Sequence, residues 1–163
     1  MNTIATLAGL ITAVSLFPSA ALATSVEIPL ELICEGEPPL FVPLGVSDFE
    51  EMQTVDISTS TPWTEDALYS VVEVQNVLEY CQCPIESVEA AALNNYVASL
   101  PLDFIYEDRA LIAYRKNQER MAIVERGPYW IIFDFDELGD RIHPGHHNAS
   151  VWQLQTLTAT CSQ

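Results

Sequence analysis

Basic residues are scarce in this chain. Six Lys and Arg stand against 23 Asp and Glu, for a net charge of −17. Nucleic acids and anionic membrane surfaces are held by arrays of Lys and Arg, so neither is expected as a partner. Long apolar runs are also missing beyond the first residues, so nothing later in the chain is expected to insert into a membrane. The common catalytic fingerprints are absent: there is no G-x-S-x-G elbow, no Walker loop and no dinucleotide fingerprint. Histidines number only three and sit together in His143-Pro144-Gly145-His146-His147. No internal repeat or flexible linker interrupts the chain.

Ile4 to Phe17 is apolar apart from Thr, Ser and Gly, and small residues follow it to Ala21-Leu22-Ala23. This is the apolar core and A-x-A cleavage pattern of a secretory signal peptide, although no Lys or Arg precedes it. The expectation is a signal peptide over residues 1–23, a single domain over 24–163, and a periplasmic or secreted protein. Cys34, Cys81, Cys83 and Cys161 all lie in the mature part, and an even count in an exported chain favours disulfides. Three connectivities are open. Cys81 and Cys83 could bond to each other only in a strained ring, so pairing to Cys34 and Cys161 is the easier geometry. A metal or redox role for the Cys-x-Cys is the rival reading.

Val26 to Ile33 alternates as a half-exposed strand, with Pro29 placing it near an edge. Ser47-Asp48-Phe49-Glu50 reads as a capping box opening a short helix. Thr54 to Ile57 reads as a strand. Val74, Val77, Leu78 and Cys81 follow helical spacing, which predicts a helix over Ser70 to Tyr80. Val88 to Leu93, Tyr96 to Leu100, Ala110 to Tyr114, Met121 to Val124, Trp130 to Phe135 and Val151 to Thr160 read as strands, with breaks at Asn94-Asn95 and Lys116-Asn117-Gln118-Glu119 and a helical turn at Pro101-Leu102-Asp103. Strands dominate and helices are short, so the class is α+β in one domain.

The spread of carboxylates reads first as a solvated surface. Asp134-Phe135-Asp136-Glu137 with Asp140 is the sole faint calcium candidate. His143, His146 and His147 suit zinc or copper as ligand types, against the simpler reading of a solvent loop. Asn148-Ala149-Ser150 is a glycosylation sequon, meaningful in a eukaryotic source.

A more informative set is distributed. It consists of Trp63 after Ser58-Thr59-Ser60-Thr61-Pro62, Asn94-Asn95-Tyr96 at a strand break, Arg126-Gly127-Pro128 before Trp130, and Ser150-Val151-Trp152-Gln153-Leu154. Taken singly, each is ordinary core or turn material. Together they supply aromatic faces, amides and a guanidinium, which is the chemistry that holds a flat polar heterocycle.

In this order, and with Val74 to Leu78, Ala90 to Leu93, Leu100-Pro101-Leu102-Asp103 and Met121, these segments resemble the small exported members of the sulfite-oxidase-type, oxidoreductase molybdopterin-binding domain family. The resemblance covers the chain from about Asp48 to Leu157. It implies a mixed α+β fold with a β-rich core and a pterin pocket at one end of the sheet. In catalytic members a cysteine thiolate on a strand-end loop holds molybdenum, and that place falls here on Thr59, whose hydroxyl is no substitute for a soft thiolate. The resemblance therefore implies binding of a pterin or molybdopterin-like ligand without catalysis. Some small members are similar to periplasmic sensors that relay pterin to a membrane-bound enzyme making or degrading cyclic di-GMP. Asn94-Asn95-Tyr96 stands where the family has Asn-Asp-Tyr, and Ala149 where it often has Arg. The residues expected to carry the site are Trp63 and Trp152 as stacking faces, Asn94 and Asn95 as in-plane partners, Arg126 as a polar or anionic anchor, and Thr59 and Thr61 at the mouth. The alternatives are a molybdenum-cofactor oxidoreductase or its accessory subunit, and a structural or metal-binding exported domain whose pocket is filled.

Overall fold

The computed structural model describes residues 27–162; the expected signal peptide lies outside them. The architecture is mixed α+β with a β-rich core and short helices. Two five-stranded sheets form it. The first has the order β2-β1-β10-β5-β6, where β1 is Leu30–Glu35, β2 Leu40–Leu44, β5 Ile85–Ala92, β6 Val97–Ser99 and β10 Leu154–Cys161. The second runs β3-β4-β7-β8, with β3 at Thr54–Thr61, β4 at Thr64–Glu73, β7 at Leu111–Lys116 and β8 at Glu119–Arg120. Strand β9, Trp130–Ile132, also pairs with β7. Among the described residues, no helix is long and apolar enough to cross a membrane.

The period-two pattern explains the first sheet. Leu30, Leu32 and Cys34 point inward and are buried, while Glu31 and Glu35 face water. Each such leucine contributes about 2 kcal/mol of apolar burial. Strand β1 pairs parallel with β10, Leu32 opposite Leu157, and β10 pairs antiparallel with β5. The main core lies between the sheets, with Phe49, Val72, Val77, Ile112, Tyr129, Ile131 and Phe133 among its buried side chains. A smaller cluster of Ala67, Tyr69, Ala113, Trp130 and Ile132 lies on the other face of the second sheet.

Several expectations about elements change. Trp130 to Phe135 is a strand only as far as Ile132, Phe135 opening a short helix, and β1 lies between β2 and β10 and not at an edge. The segment predicted as a helix over Ser70 to Tyr80 is split: β4 continues to Glu73, and only Val74–Leu78 is helical (α2). Val71 and Val72 are both buried because β4 is covered on both faces, and that hides its alternation. Met121 to Val124 is not a strand. Ile123–Glu125 forms a turn of 3₁₀ helix, and the Ala122 carbonyl accepts from both Glu125 and Gly127 N–H. The helix α1, Val46–Glu51, begins before Ser47, and it is the Asp48 carboxylate that accepts from Gly45 N–H, 2.7 Å.

Cys34 bonds Cys81 and Cys83 bonds Cys161, with Cα atoms 5.4 and 5.7 Å apart. The Cys-x-Cys thus fastens the turn after α2 to both β1 and β10. Asp134 caps α4, Phe135–Leu138, by accepting from Glu137 N–H at 3.1 Å. Asp136 bonds Ser60 on the edge strand β3 through both carboxylate oxygens, at 2.9 and 3.2 Å. The acidic run is thereby a helix start and an edge cover, and no group of three metal-ligating side chains occurs among the described residues.

Candidate functional site

One tight hairpin presents Trp63. Strands β3 and β4 are joined through Pro62-Trp63, and the Thr61 hydroxyl accepts from both Trp63 N–H, 3.2 Å, and Thr64 N–H, 3.0 Å. This hydroxyl-closed turn adds to the Thr61–Thr64 pair that ends the β3–β4 ladder. The Thr64 hydroxyl bonds the Tyr69 phenol at 2.9 Å. Burial pushes that phenol above its ordinary range, against a lowering by Thr64, so Tyr69 stays a neutral support. The Trp63 ring lands between both hydrophobic clusters.

A second wall comes from the β5–β6 turn. Asn94 Oδ1 accepts from Tyr96 N–H at 3.0 Å, and Asn95 takes a left-handed φ of 65°. Asn tolerates that conformation better than most residues. The turn swings Tyr96 outward, and its hydroxyl donates to the Asn148 carbonyl at 3.0 Å. This bond ties the turn to α5, Pro144–Ala149.

The third wall is the chain before β10. Trp130 and Trp152 form an isolated antiparallel bridge, and Ile131 N–H donates to Val151 O at 2.9 Å. Trp152 meets Trp63 with ring centroids 5.4 Å apart, and Trp63 stands 6.0 Å from Trp130 and 5.9 Å from His147. Edge and tilted aromatic contacts of this kind are worth about 1 kcal/mol each beyond area burial. Arg126 adopts φ 76°, and its carbonyl accepts from Gln153 N–H at 2.8 Å. Gly127 follows because a Cβ there would come within 2.0 Å of the Met121 carbonyl oxygen. The Arg126 guanidinium lies 5.5 Å from the Trp130 ring centroid and 5.6 Å from that of Trp152.

These walls enclose a cavity of about 320 Å³. Ala92 and Val151 supply apolar lining; Trp63, Trp152, Tyr96 and His147 supply rings; Asn94, Asn148 and Ser150 supply polar groups. Of the residues expected at the site, Trp63, Asn94 and Trp152 meet here. Asn95 is exposed on the turn and does not line the cavity, whereas the amides of Asn94 and Asn148 do. Arg126 reaches the cavity only through the indoles. Thr61 is occupied in the hairpin turn. Thr59 is fully buried, its hydroxyl donating to Ser60 O at 3.1 Å and accepting from Asp136 N–H at 3.4 Å. Neither threonine lines the cavity. Sequence reading placed Tyr96 and Ser150 within the distributed set but gave neither a role at the site, and named Asn148 only in a sequon. Their adjacency to Asn94-Asn95 and to Trp152 was the available signal.

The histidines divide into three tasks. The expected solvent loop is the helix α5, with Pro144 at its first turn and His143 as its cap, accepting from Gly145 N–H at 3.1 Å. His146 is buried and stacks on Phe104, 4.2 Å between centroids. Its Nδ1 accepts from His143 N–H at 3.2 Å, which leaves Nε2 to donate to Asp108 at 3.0 Å. Only His147 turns to the cavity.

The donor set decides what the site can hold. A molybdenum ion of the catalytic type needs a thiolate. All four cysteines are in disulfides, and Thr59 is buried and hydrogen-bonded, so these residues do not fit that metal. The cavity itself suits a planar ring of modest size, held by stacking and by amide groups at its edge. Compared with known proteins, the chain matches no family model and no curated protein.

Proposed function

We propose that this protein is an exported binding protein that holds a pterin or a similar flat heterocycle without transforming it. The observation that carries this reading is the convergence of Trp63, Trp152, Tyr96 and His147 around one cavity with Asn94 and Asn148 at its edge. Trp63 and Trp152 meet edge to face and so cannot sandwich a ring between them, but an aromatic wall stacks on one side of a flat ring, and side-chain amides pair with the donor and acceptor groups of an aminopyrimidinone edge. The order of segments resembling the sulfite-oxidase-type molybdopterin-binding family agrees with a pterin pocket at this end of the sheets. The missing thiolate argues against molybdenum redox chemistry. Two disulfides suit an oxidising compartment such as the periplasm. By the same resemblance, the partner would be the periplasmic part of a membrane signalling protein that responds to the occupied cavity.

Fluorescence titration of the purified protein with reduced and oxidised pterins tests the reading. Tryptophan quenching that saturates at or below tens of micromolar, and that is lost in Trp63→Ala, is expected. No binding in that range, or the same binding in the variant, overturns it.

A further inference from the structure

Positive charge is confined to one part of this protein. All 6 Lys and Arg lie between Arg109 and Arg141, so the strands of the first sheet carry none, while Glu31, Glu35, Glu86 and Glu89 stand on β1 and β5. The end of that sheet away from the cavity holds an open groove of about 1640 Å³. Leu154 begins β10 beside Trp152 and Cys161 ends it in the groove, about 24 Å of strand away. Glu35, Glu37 and Glu86 line the groove, and no basic side chain does. Leu40, Phe41 and Tyr80 line it too, and they are 41%, 66% and 40% exposed. Large apolar side chains gathered in one exposed place mark an interaction surface, whereas scattered ones need no explanation.

One wall of the groove is a free sheet edge. Strand β2, Leu-Phe-Val-Pro-Leu, pairs with β1 alone and carries no charge. Edge strands are ordinarily blunted by lysine, by proline or by a covering segment, because their open N–H and C=O groups accept a further strand. Other edges of this fold are protected in that way: Asp136 of α4 bonds Ser60 on β3, and the turn into the short β6 is tied to α5 through Tyr96. On β2 only Pro43 blunts the edge, near one end, and Leu40, Phe41 and Pro43 are all exposed among the described residues. The opposite wall is the turn after α2. The Cys34–Cys81 and Cys83–Cys161 bonds fix that turn to β1 and β10, so the groove is formed before anything enters it. A preformed groove keeps the ordering cost of binding low.

We propose that this groove receives an extended, basic segment of another protein, which adds as a strand to β2, sets an apolar side chain beside Phe41 and Tyr80, and sets Lys or Arg against Glu35, Glu37 and Glu86. Charge chooses this occupant. A second copy docking by the same edge would bring those carboxylates against their own kind, and any acidic partner meets the same repulsion. Strand addition draws affinity from the main chain and leaves the choice of partner to the side chains. The groove is separate from the cavity, so this proposal does not depend on the heterocycle reading.

Fluorescence anisotropy of a labelled peptide that alternates lysine with valine and phenylalanine tests it, beside a peptide with glutamate in place of each lysine. The basic peptide is expected to bind at least about tenfold more tightly than the acidic one, and to weaken as salt rises. Phe41→Lys, at an exposed position, is expected to lose about tenfold, and Glu37→Gln with Glu86→Gln about fivefold. Glu107→Gln with Glu119→Gln removes the same charge from exposed positions elsewhere and should change the affinity by less than about twofold. Trp63→Ala should bind the peptide as wild type does, which separates failure here from failure at the cavity. Thermal unfolding identifies any variant that has lost structure. Equal affinity for the two peptides overturns the proposal. Equal losses in the two glutamine pairs also overturn it, by assigning the attraction to the net charge of the chain. So does a dimer in sedimentation that Phe41→Lys dissolves, which would make a second copy the occupant.

Discussion

Trp63 and Trp152 meet edge to face, with ring planes 78° apart and centroids 5.4 Å apart. One indole comes from a hairpin turn of the second sheet and the other from the approach to the central strand of the first. Each ring therefore depends on the other sheet for its position. Trp63→Ala should abolish heterocycle binding and lower stability by about 2–3 kcal/mol, below the cost of a fully buried tryptophan because the ring is half-buried. Urea unfolding beside ligand titration separates the two effects, and a Trp63→Phe variant that binds weakly but folds well is expected between them.

Tyr96 lines the same cavity, and its hydroxyl donates to the Asn148 carbonyl, linking the β5–β6 turn to α5. Deleting that hydroxyl in Tyr96→Phe removes about 1 kcal/mol of net hydrogen bonding. Stopped-flow measurement should show ligand leaving about fivefold faster, with the aromatic wall intact. An unchanged dissociation rate would show that the wall stands without the bond.

The two disulfides close separate loops, with sequence separations of 47 and 78. Chain-entropy reasoning assigns about 4 kcal/mol to loops of this size. Replacing either pair with serines should lower the midpoint of thermal unfolding by well over 5 °C. Reduction of the native protein should reproduce the sum, and calorimetry with and without dithiothreitol reads it directly.

His146 is a structural group despite its chemistry. Its two ring nitrogens are committed to His143 N–H and Asp108, and its face covers Phe104. His146→Ala should cost about 3 kcal/mol through cavity formation and the lost hydrogen bond to Asp108, which keeps only its Arg141 partner. Asp108→Asn, which keeps an acceptor, should cost about 1 kcal/mol. A double-mutant cycle less than additive for the pair confirms that they act as one unit.

Alkaline pH reaches a different part of the core. Burial pushes the Tyr129 phenol far above its ordinary value of 10.0, with Glu27 adding to the rise. Above about pH 10 the unfolded chain loses this proton while the folded protein keeps it. Stability is therefore expected to fall with rising pH there, the sign required when the native state binds the extra proton. Tyr129→Phe should flatten that decline in denaturant midpoints measured between pH 9 and 11. An equal slope in the variant would assign the decline to Tyr69 and Tyr114, which are raised in the same direction by burial.

Where one face of an element is wet, the sequence shows it. Glu31 between Leu30 and Leu32 marks β1 as a strand. Where both faces are covered, the period disappears, and Ser70 to Glu73 was joined to the helix read from Val74, Val77, Leu78 and Cys81 although β4 runs to Glu73. Met121 to Val124 is apolar enough for a strand, yet the chain must fold back at Gly127 and leaves Val124 92% exposed. Pro144 at the first turn of α5 was a readable helix start, masked by its glycine and histidine neighbours. At the site, Trp63 and Trp152 were legible as aromatics beyond the needs of a turn. Tyr96 and Asn148 were not legible as partners, because their bond joins segments with no local pattern in common.

Strand β10 is the last element in chain order, yet it lies in the middle of the first sheet, between β1 and β5. Until Leu154–Cys161 arrives, β1 with β2 and β5 with β6 are two hairpins with nothing between them. A chain emerging from its N-terminal end therefore cannot complete this sheet early, and the cavity wall at Trp152 forms at the same late moment. The closing of the sheet and the making of the cavity thereby become one event.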